Sequence, residues 1–338
     1  MRPLRHFFRA VLLVLIIAGA LLFDGYRQLH APLAKVEPGA TLVLVPGETL
    51  SGVLVDIGQR GWLPSARAAS YLKLYVRWHG VGARIRSGEY AINDQMTLIE
   101  LLDHFLAGDV IVHELRIVEG WTFAQALEAI RADPKIKQTL AQATPDEIMT
   151  AIGHPGEAAE GRFFPDTYRF SMGTTDVTLL REAYARMAKI LAEEWAQRAA
   201  DLPYASPDDA LTMASIIEKE TGAPVERAQI AGVFVRRLRL GMRLQTDPTV
   251  IYGLGSAFDG NLHVKDLRTD TPYNTYTRAG LPPTPIALPG RASLHAALHP
   301  DDGKALFFVS KGDGTHAFSE TIEQHDAAVR RYQLKKTK

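Results

Sequence analysis

A glutamate at the end of an apolar segment is the strongest candidate for acid–base chemistry in this sequence. Glu218 directly follows residues 210–217, which are apolar except for Thr212 and Ser215. Apolar surroundings and the negative end of a helix dipole both favour the protonated form of a carboxyl group. A general acid that works near neutral pH needs that form. The alternative is a salt-bridged acid at an ordinary helix terminus, because structural ion pairs also perturb carboxyl groups.

The residues before and after this glutamate predict a helix with well-marked ends. Ser206 is a preferred N-cap, Pro207 suits the first helical position, and Asp209 lies where a capping-box acid is expected. Residues 222–224 contain the Gly and Pro that end a helix. Because apolar residues occupy most of the circumference, we expect the helix to be buried. Glu220 points to a nearly opposite side from Glu218 and is expected to face solvent.

The composition is that of an ordinary globular chain with balanced charge. Its 338 residues are enough for a membrane anchor and two domains. Acidic and basic residues number 38 each, which gives no electrostatic case for nucleic acid as the main partner. The chain has no cysteine, so disulfides, thiolate metal sites and cysteine nucleophiles are excluded.

The N-terminus has the pattern of a membrane anchor. Residues 10–23 form an unbroken apolar run, preceded by three arginines in residues 1–9. We predict a cytoplasmic tail over 1–9 and a transmembrane helix over 10–28, with the rest of the chain outside the cytoplasm. The alternative is a cleaved signal peptide, whose apolar core is usually shorter. No convincing cleavage pattern follows the run.

Two segments share one local pattern of strand, glycine turn, threonine cap and amphipathic helix. They are residues 44–54 and 117–127, and two copies do not make a solenoid. With the predicted helix at 64–79 and the segment 87–92, the first copy resembles a LysM module, a unit that binds glycans containing N-acetylglucosamine. The alternative is plain structural packing. We predict a small LysM-like βα subdomain over 40–118.

Hydrophobic patterns along the remaining chain predict an α+β fold, with a larger mixed α/β domain over 119–338 that carries Glu218. Helices are predicted at 64–79, 96–106, 123–132, 145–152, 178–201, 224–240, 249–252, 293–298 and 321–332, and strands at 41–45, 110–118, 242–246 and 306–310.

Two stretches combine polar groups with rigid or aromatic neighbours. Residues 270–276 contain Tyr, Asn and Thr side chains and precede the proline-rich loop 280–286, which makes a preorganised site plausible. Residues 160–170 interleave aromatic rings with charged groups, Asp166 among them. That mixture suits sugar rings and hydroxyls, and it equally suits a loop packed on a core.

Other chemistries have weaker signals. His295 and His299 have a spacing that could bind zinc, but no Glu follows the first His and no third ligand is signalled. Ser215 does not fit a Ser-x-x-Lys acylase, because Glu218 occupies the lysine position and Lys219 comes one residue too late. We therefore expect no metal and no cofactor.

Several motifs, in order, resemble the YceG-like family of membrane-anchored endolytic murein transglycosylases. They are residues 214–221, 244–252, 273–276 and 280–286, with the stretches 161–168 and 307–316. The resemblance covers nearly all of the chain beyond the anchor. It implies that Glu218 is the catalytic acid, that the substrate is nascent peptidoglycan glycan, and that a LysM-like subdomain and a catalytic domain lie outside a bacterial inner membrane.

The resemblance also implies a reaction without water. Glu218 would protonate the oxygen between N-acetylmuramic acid and N-acetylglucosamine, then take the proton of the muramyl C6 hydroxyl as that group attacks C1. The product would carry a 1,6-anhydro end, so the enzyme would terminate or trim glycan chains. From polarity and position in matched motifs, the predicted substrate-binding residues are Gln245, Tyr273, Asn274, Thr275 and Asp166.

Two alternatives stay open. A hydrolytic muramidase would add water, with Asp247 or Glu220 as base. A non-enzymatic, membrane-anchored glycan-binding scaffold would use the LysM-like unit and an inert C-terminal domain. The expected partners are glycan strands and the inner membrane, with peptidoglycan synthases expected from the family alone.

Overall fold

The fold is known from a computed structural model that describes residues 2–45 and 47–334. Pro46, in a predicted turn, and the side chains of Arg2, Pro3 and Leu4, in the predicted cytoplasmic tail, lie outside this description. The helices are α1 (Arg2–Leu29), α2 (Leu50–Gln59), α3 (Ala68–His79), α4 (Leu98–Ala107), α5 (Phe123–Ala132), α6 (Pro145–Ile152), α7 (Asp176–Ala196), α8 (Pro207–Glu220), α9 (Arg227–Arg239), α10 (Asp247–Leu254), α11 (Val264–Arg268), α12 (Arg291–Leu298) and α13 (Ile322–Tyr332).

Strands are short and pair two by two. They are β1 (Thr41–Leu44), β2 (Gly88–Ala91), β3 (Val112–Arg116), β4 (Thr167–Ser171), β5 (Phe307–Ser310) and β6 (His316–Ser319), paired as β1–β2, β3–β4 and β5–β6. The predicted α+β class is confirmed. The chain divides into two compact units, which are Met1–His113 with Arg169–Thr174, and Glu114–Tyr168 with Thr175–Lys338.

Helix α1 is long and apolar enough to cross a bilayer. Its segment Arg5–Leu29 has a mean hydropathy of 2.3 over its most apolar window, and none of that window is buried against the protein. An apolar helical segment that is not buried against protein is the pattern of a membrane span. The predicted single-pass anchor therefore agrees with the structure.

The first unit is built on the order β1–α2–α3–β2. The two strands are antiparallel, with Leu42 opposite Tyr90. Thr49 caps α2 by accepting a hydrogen bond from the Gly52 N–H at 3.3 Å. Leu42, Tyr90 and other apolar side chains of these elements form the core of the unit. The LysM-like assignment of this unit stays a prediction.

Helix α8 is the centre of the second unit. Ala210–Ile217 are all buried, and α8 packs against α7, α9, α10 and α12. Ser206 Oγ accepts from the Asp209 N–H at 3.3 Å, and Asp209 Oδ2 accepts from the Ser206 N–H at 3.1 Å. The predicted capping box, buried helix and helix end are confirmed.

The strand predicted at 242–246 is wrong. Gln245 has a φ of 50°, which interrupts extended backbone. The Arg237 guanidinium donates to the Leu244 carbonyl at 2.6 Å, and the Gln245 N–H donates to the Thr275 carbonyl at 3.1 Å. The backbone polar groups of this segment are therefore satisfied by a side chain and a loop instead of by a neighbouring strand.

Candidate active site

Glu218 lies in the last turn of α8 with only 6% of its side chain exposed. Its Oε2 accepts a hydrogen bond from the Gly290 N–H at 2.9 Å. A guanidinium nitrogen of Arg227 lies 3.7 Å from Oε1. The Gly290 N–H and the Arg227 guanidinium are therefore two polar partners for a carboxylate at this position.

The proline-rich loop runs along α8 and brings Gly290 to this carboxyl group. The Ile286 N–H donates to Ser215 Oγ at 3.0 Å, one helical turn before the contact between Gly290 and Glu218. Leu288 joins the same loop to the segment after β3, because its N–H donates to the Trp121 carbonyl at 2.7 Å. The loop predicted to be rigid thus forms one wall of the site.

A second carboxyl group, Glu119, adjoins the same glycine. A Cβ on Gly290 would lie 1.9 Å from Glu119 Oε1, so this side chain packs directly against the glycine backbone. Burial and the negative charge of Glu218 raise the pKa of Glu119, and Arg227 opposes them. Sequence reasoning missed this residue. The available signal was its place in the second strand–turn–helix copy, where the first copy has Pro46.

Asp166 shares a groove with Glu119. The groove has a volume of about 300 Å³ and is lined by both acids and by Arg116. Asp166 Oδ2 lies 2.6 Å from Arg186 Nη2, and its Oδ1 accepts the Thr167 N–H at 2.7 Å. The structure therefore places this predicted substrate-binding residue in a groove that Glu119 also lines.

Asn274 and Thr275 are placed to shape a loop. Asn274 is 0% exposed, and its amide nitrogen donates to the carbonyl oxygens of Asp266, Leu267 and Thr269. Thr275 Oγ1 accepts the Thr246 N–H at 3.1 Å and is itself buried. As placed, the two side chains contribute by holding the backbone beside the site, and direct contact with a substrate stays a prediction.

Tyr273 connects the proline-rich loop to a buried acid. Its hydroxyl is hydrogen-bonded to Thr284 Oγ1 at 2.8 Å, and its ring packs edge-on against Tyr252 at 4.9 Å. The Tyr252 hydroxyl donates to Glu160 Oε2 at 3.1 Å, and Glu160 Oε1 accepts the Phe123 N–H at 2.9 Å. Burial raises the pKa of Glu160 to about 7.

Gln245 lines a different cavity, together with Glu220. This cavity has a volume of about 300 Å³ and includes Asp247 and Tyr276. The expectation that Glu220 faces solvent is wrong, because it packs against the turn before α10 and accepts a hydrogen bond from Thr246 Oγ1. Burial raises the pKa of Glu220 to about 7. The Tyr276 hydroxyl donates to Asp247 Oδ1 at 2.6 Å.

Among the described residues, one group of side chains could hold a metal ion, and it lies on α7 and α12. It consists of Glu194, His295 and His299, so the structure supplies a third potential ligand that the sequence did not signal. The Glu194 carboxylate already binds Arg291 Nε at 2.7 Å and His295 Nδ1 at 2.9 Å. The group is an ion-pair network that joins the two helices.

The fold and site together define a class: a chain with an N-terminal helix long and apolar enough to span a membrane, and an α+β unit whose central buried helix presents a glutamate to a backbone N–H. The chain belongs to the YceG-like family, whose sequence pattern matches residues 42–331. The resemblance seen in the motifs is thereby confirmed.

Named relatives are similar over most of this chain. The endolytic murein transglycosylase of Bacillus subtilis (strain 168) is 32% identical over 94% of this chain and 91% of its own length. A protein of the same name from Streptococcus pneumoniae serotype 2 is 24% identical, over 94% of this chain and 63% of its own length. A crystal structure of a YceG-like protein from Listeria monocytogenes is 29% identical, with a TM-score of 0.56, and the match covers 87% of this chain and all of that one.

Proposed function

We propose that this protein is a membrane-anchored endolytic transglycosylase that cleaves the β-1,4 bond between N-acetylmuramic acid and N-acetylglucosamine in nascent peptidoglycan. The observation that carries the proposal is the position of Glu218, nearly buried at the end of an apolar helix and bonded to the Gly290 N–H. The names of the relatives support the same substrate and reaction class. The cleavage leaves a 1,6-anhydro end and shortens or terminates the glycan chain.

The proposed reaction needs one carboxyl group on the enzyme. Glu218 gives its proton to the glycosidic oxygen as the bond from C1 to that oxygen breaks. The resulting carboxylate keeps the Gly290 N–H and Arg227 as partners. It then takes the proton of the muramyl C6 hydroxyl, whose oxygen forms a new bond to C1. The nucleophile belongs to the substrate, so holding the sugar in place supplies much of the rate.

A hydrolytic muramidase is the second candidate, and Glu119 is the observation that favours it. Glycosidases that add water usually need a second carboxyl group. Glu220 and Asp247, the bases first considered, line a cavity whose described lining does not include Glu218. Glu119 instead packs on the glycine that binds Glu218. Burial and the charge of Glu218 raise the pKa of Glu119 toward the range in which a carboxylate is an effective general base, so the products must distinguish the two reactions.

The products distinguish the two reactions. The full chain in detergent, incubated with uncrosslinked glycan strands, should release fragments with anhydro ends, which are lighter than hydrolysed ends by one water. We expect Glu218→Gln to reduce cleavage to background, while Glu128→Gln, an exposed glutamate on α5, retains it. A majority of hydrolysed ends would favour the muramidase. Unchanged cleavage by Glu218→Gln would remove this residue from the mechanism, and absence of cleavage by the wild type would leave the scaffold alternative.

The proposed location is the bacterial inner membrane, with the N-terminus cytoplasmic and the chain beyond α1 periplasmic. The three arginines before the apolar run support this orientation. The β1–α2–α3–β2 order of the first unit supports a glycan-binding role, and synthases at the same membrane are the proposed protein partners. Because the chain has no cysteine, single cysteines introduced in the tail and after α1 can be labelled from each side to test the orientation.

A further inference from the structure

Helix α3 exposes a large apolar surface beside the end of α1. Trp78 is 80% exposed and Leu74 is 59% exposed. With Tyr71 and Tyr75 they line a groove of about 530 Å³ whose other wall is formed by α1 residues from Leu21 to Leu29. Contiguous apolar surface of this kind marks an interaction site on a folded protein.

The apolar residues of α3 occupy two adjoining sectors of the helix. Ala68, Leu72 and Val76 are buried in the core of the first unit. At 100° per residue, the groove-lining residues occupy the next sector, and the exposed Lys73 and Arg77 occupy the third. A surface helix of a soluble domain normally has a single apolar stripe. The second apolar sector therefore requires an apolar neighbour of its own.

Specific contacts fix α3 to the end of α1. The Tyr71 hydroxyl donates to Asp24 Oδ2 at 2.9 Å, and Ser65 Oγ, just before α3, donates to Gln28 Oε1 at 2.6 Å. A Cβ on Gly25 would lie 3.0 Å from the Tyr71 ring, so the glycine allows the close approach of the two helices. These contacts hold the groove at one height along the membrane helix.

The position of the groove along α1 corresponds to the bilayer surface. Asp24 is the first charged residue after the apolar run, so it marks the exit of α1 from the hydrocarbon. Leu21, on the groove wall, lies about 4.5 Å deeper at 1.5 Å per residue. Interfacial helices bury their apolar face to a depth of roughly 5–10 Å. Trp and Tyr side chains are enriched at this depth.

We propose that α3 is an interfacial helix whose Leu74 and Trp78 insert into the lipid leaflet at the C-terminal end of α1. Lys73 and Arg77, on the adjoining sector, lie level with anionic headgroups and favour their phosphates. The insertion requires that α1 spans the bilayer, and so it depends on the proposed anchoring. It gives the first unit a second membrane contact and fixes the rotation of that unit about α1.

The absence of cysteine allows a direct test with single labels. The full chain is reconstituted in nanodiscs of phosphatidylethanolamine and phosphatidylglycerol, with an environment-sensitive fluorophore on Leu74→Cys or Trp78→Cys. The Leu74→Cys variant retains the native Trp78 side chain. Lys73→Cys is the matched control on the polar sector, and Leu15→Cys reports whether α1 itself is in the bilayer. Quenching by lipid-attached nitroxide is compared with quenching by aqueous iodide.

We expect the emission of labels at 74 and 78 to be blue-shifted relative to that of the label at 73. The lipid nitroxide should also quench them several-fold more than it quenches the label at 73. Equal iodide access at 73, 74 and 78, with Leu15→Cys quenched by lipid, overturns the inference and leaves the anchoring intact. Failure of lipid quenching at Leu15→Cys as well overturns the anchoring. Labels at 74 and 78 that neither agent quenches would show that a protein covers the groove, which also overturns the inference.

Discussion

Gly290 lies between the two carboxyl groups of the candidate active site. Its N–H donates to Glu218, and an added Cβ would lie 1.9 Å from Glu119 Oε1. Its φ of −76° is open to any residue, so Gly290→Ala changes contacts and leaves the backbone unstrained. Because the Glu119 carboxyl group must move away, we expect cleavage to fall about 10- to 100-fold, the effect of a displacement of about 1 Å.

Cleavage rate and thermal midpoint measured on the same preparation separate this effect from unfolding. We expect the midpoint of Gly290→Ala to stay close to that of the wild type, because the end of a flexible side chain can move at little cost. Gly222→Ala, where an added Cβ meets no atom within 4 Å, is the matched control and should cleave normally. A fully active Gly290→Ala would show that the position of Glu119 does not matter.

At the scale of single residues, the sequence predicted the burial of Glu218 at the helix end and missed the neighbouring Glu119 for a definable reason. The apolar run and the helix end that bury Glu218 are local in the chain. The contact of Glu119 with Gly290 joins residues far apart in sequence, and no local pattern reports it. Helical spacing gave the direction of Glu220 relative to Glu218, but it could not show that the turn before α10 covers that side.

Between elements, a buried hydroxyl helps to attach the proline-rich loop to α8. Ser215 Oγ accepts the Ile286 N–H at 3.0 Å and is fully buried. Ser215→Ala leaves that N–H without an acceptor, which costs about 1–3 kcal/mol. We expect this loss in urea unfolding, together with reduced cleavage, because the same loop carries Gly290 to Glu218.

Ser293 on α12 provides a matched control. It is also fully buried, and its Oγ has no hydrogen-bond partner among the described residues. Ser293→Ala removes an unsatisfied polar atom, so we expect neutral or increased stability. Equal losses of stability in the two variants would show that hydroxyl volume, and not the bond to Ile286, determines the effect.

Element boundaries were predictable where the chain carries its own start and stop signals. Helices α5, α6 and α8 begin after Thr or Ser caps that form capping boxes, and the caps of α5 and α8 were recognised in the sequence. The segment 242–246 has the composition of a strand, but the Arg237 guanidinium and the Thr275 carbonyl take its backbone hydrogen bonds. Such tertiary competition for backbone groups is invisible to a local pattern.

Over the whole second unit, two buried acids make stability depend on pH near neutrality. Burial raises the pKa of Glu160 and of Glu220 from an ordinary 4.5 to about 7. An acid whose pKa is higher in the folded state binds protons more tightly there. Its contribution to stability is therefore complete below about pH 4.5 and is lost as the pH rises through about 7.

Glu160→Gln tests this dependence because the amide cannot ionise and keeps the size of the side chain. Between pH 5 and pH 8 the free energy of unfolding of the wild type should fall by up to about 3 kcal/mol more than that of the variant. This difference is the equivalent of a shift of about two pKa units. Urea unfolding followed by tryptophan fluorescence at both pH values measures the difference.

Glu220 still titrates in the variant, so part of the pH dependence should remain. Glu128→Gln, exposed on α5, is the control and should keep the pH dependence of wild-type stability. If the stability of Glu160→Gln has the same pH dependence as that of the wild type, Glu160 is already ionised at pH 5.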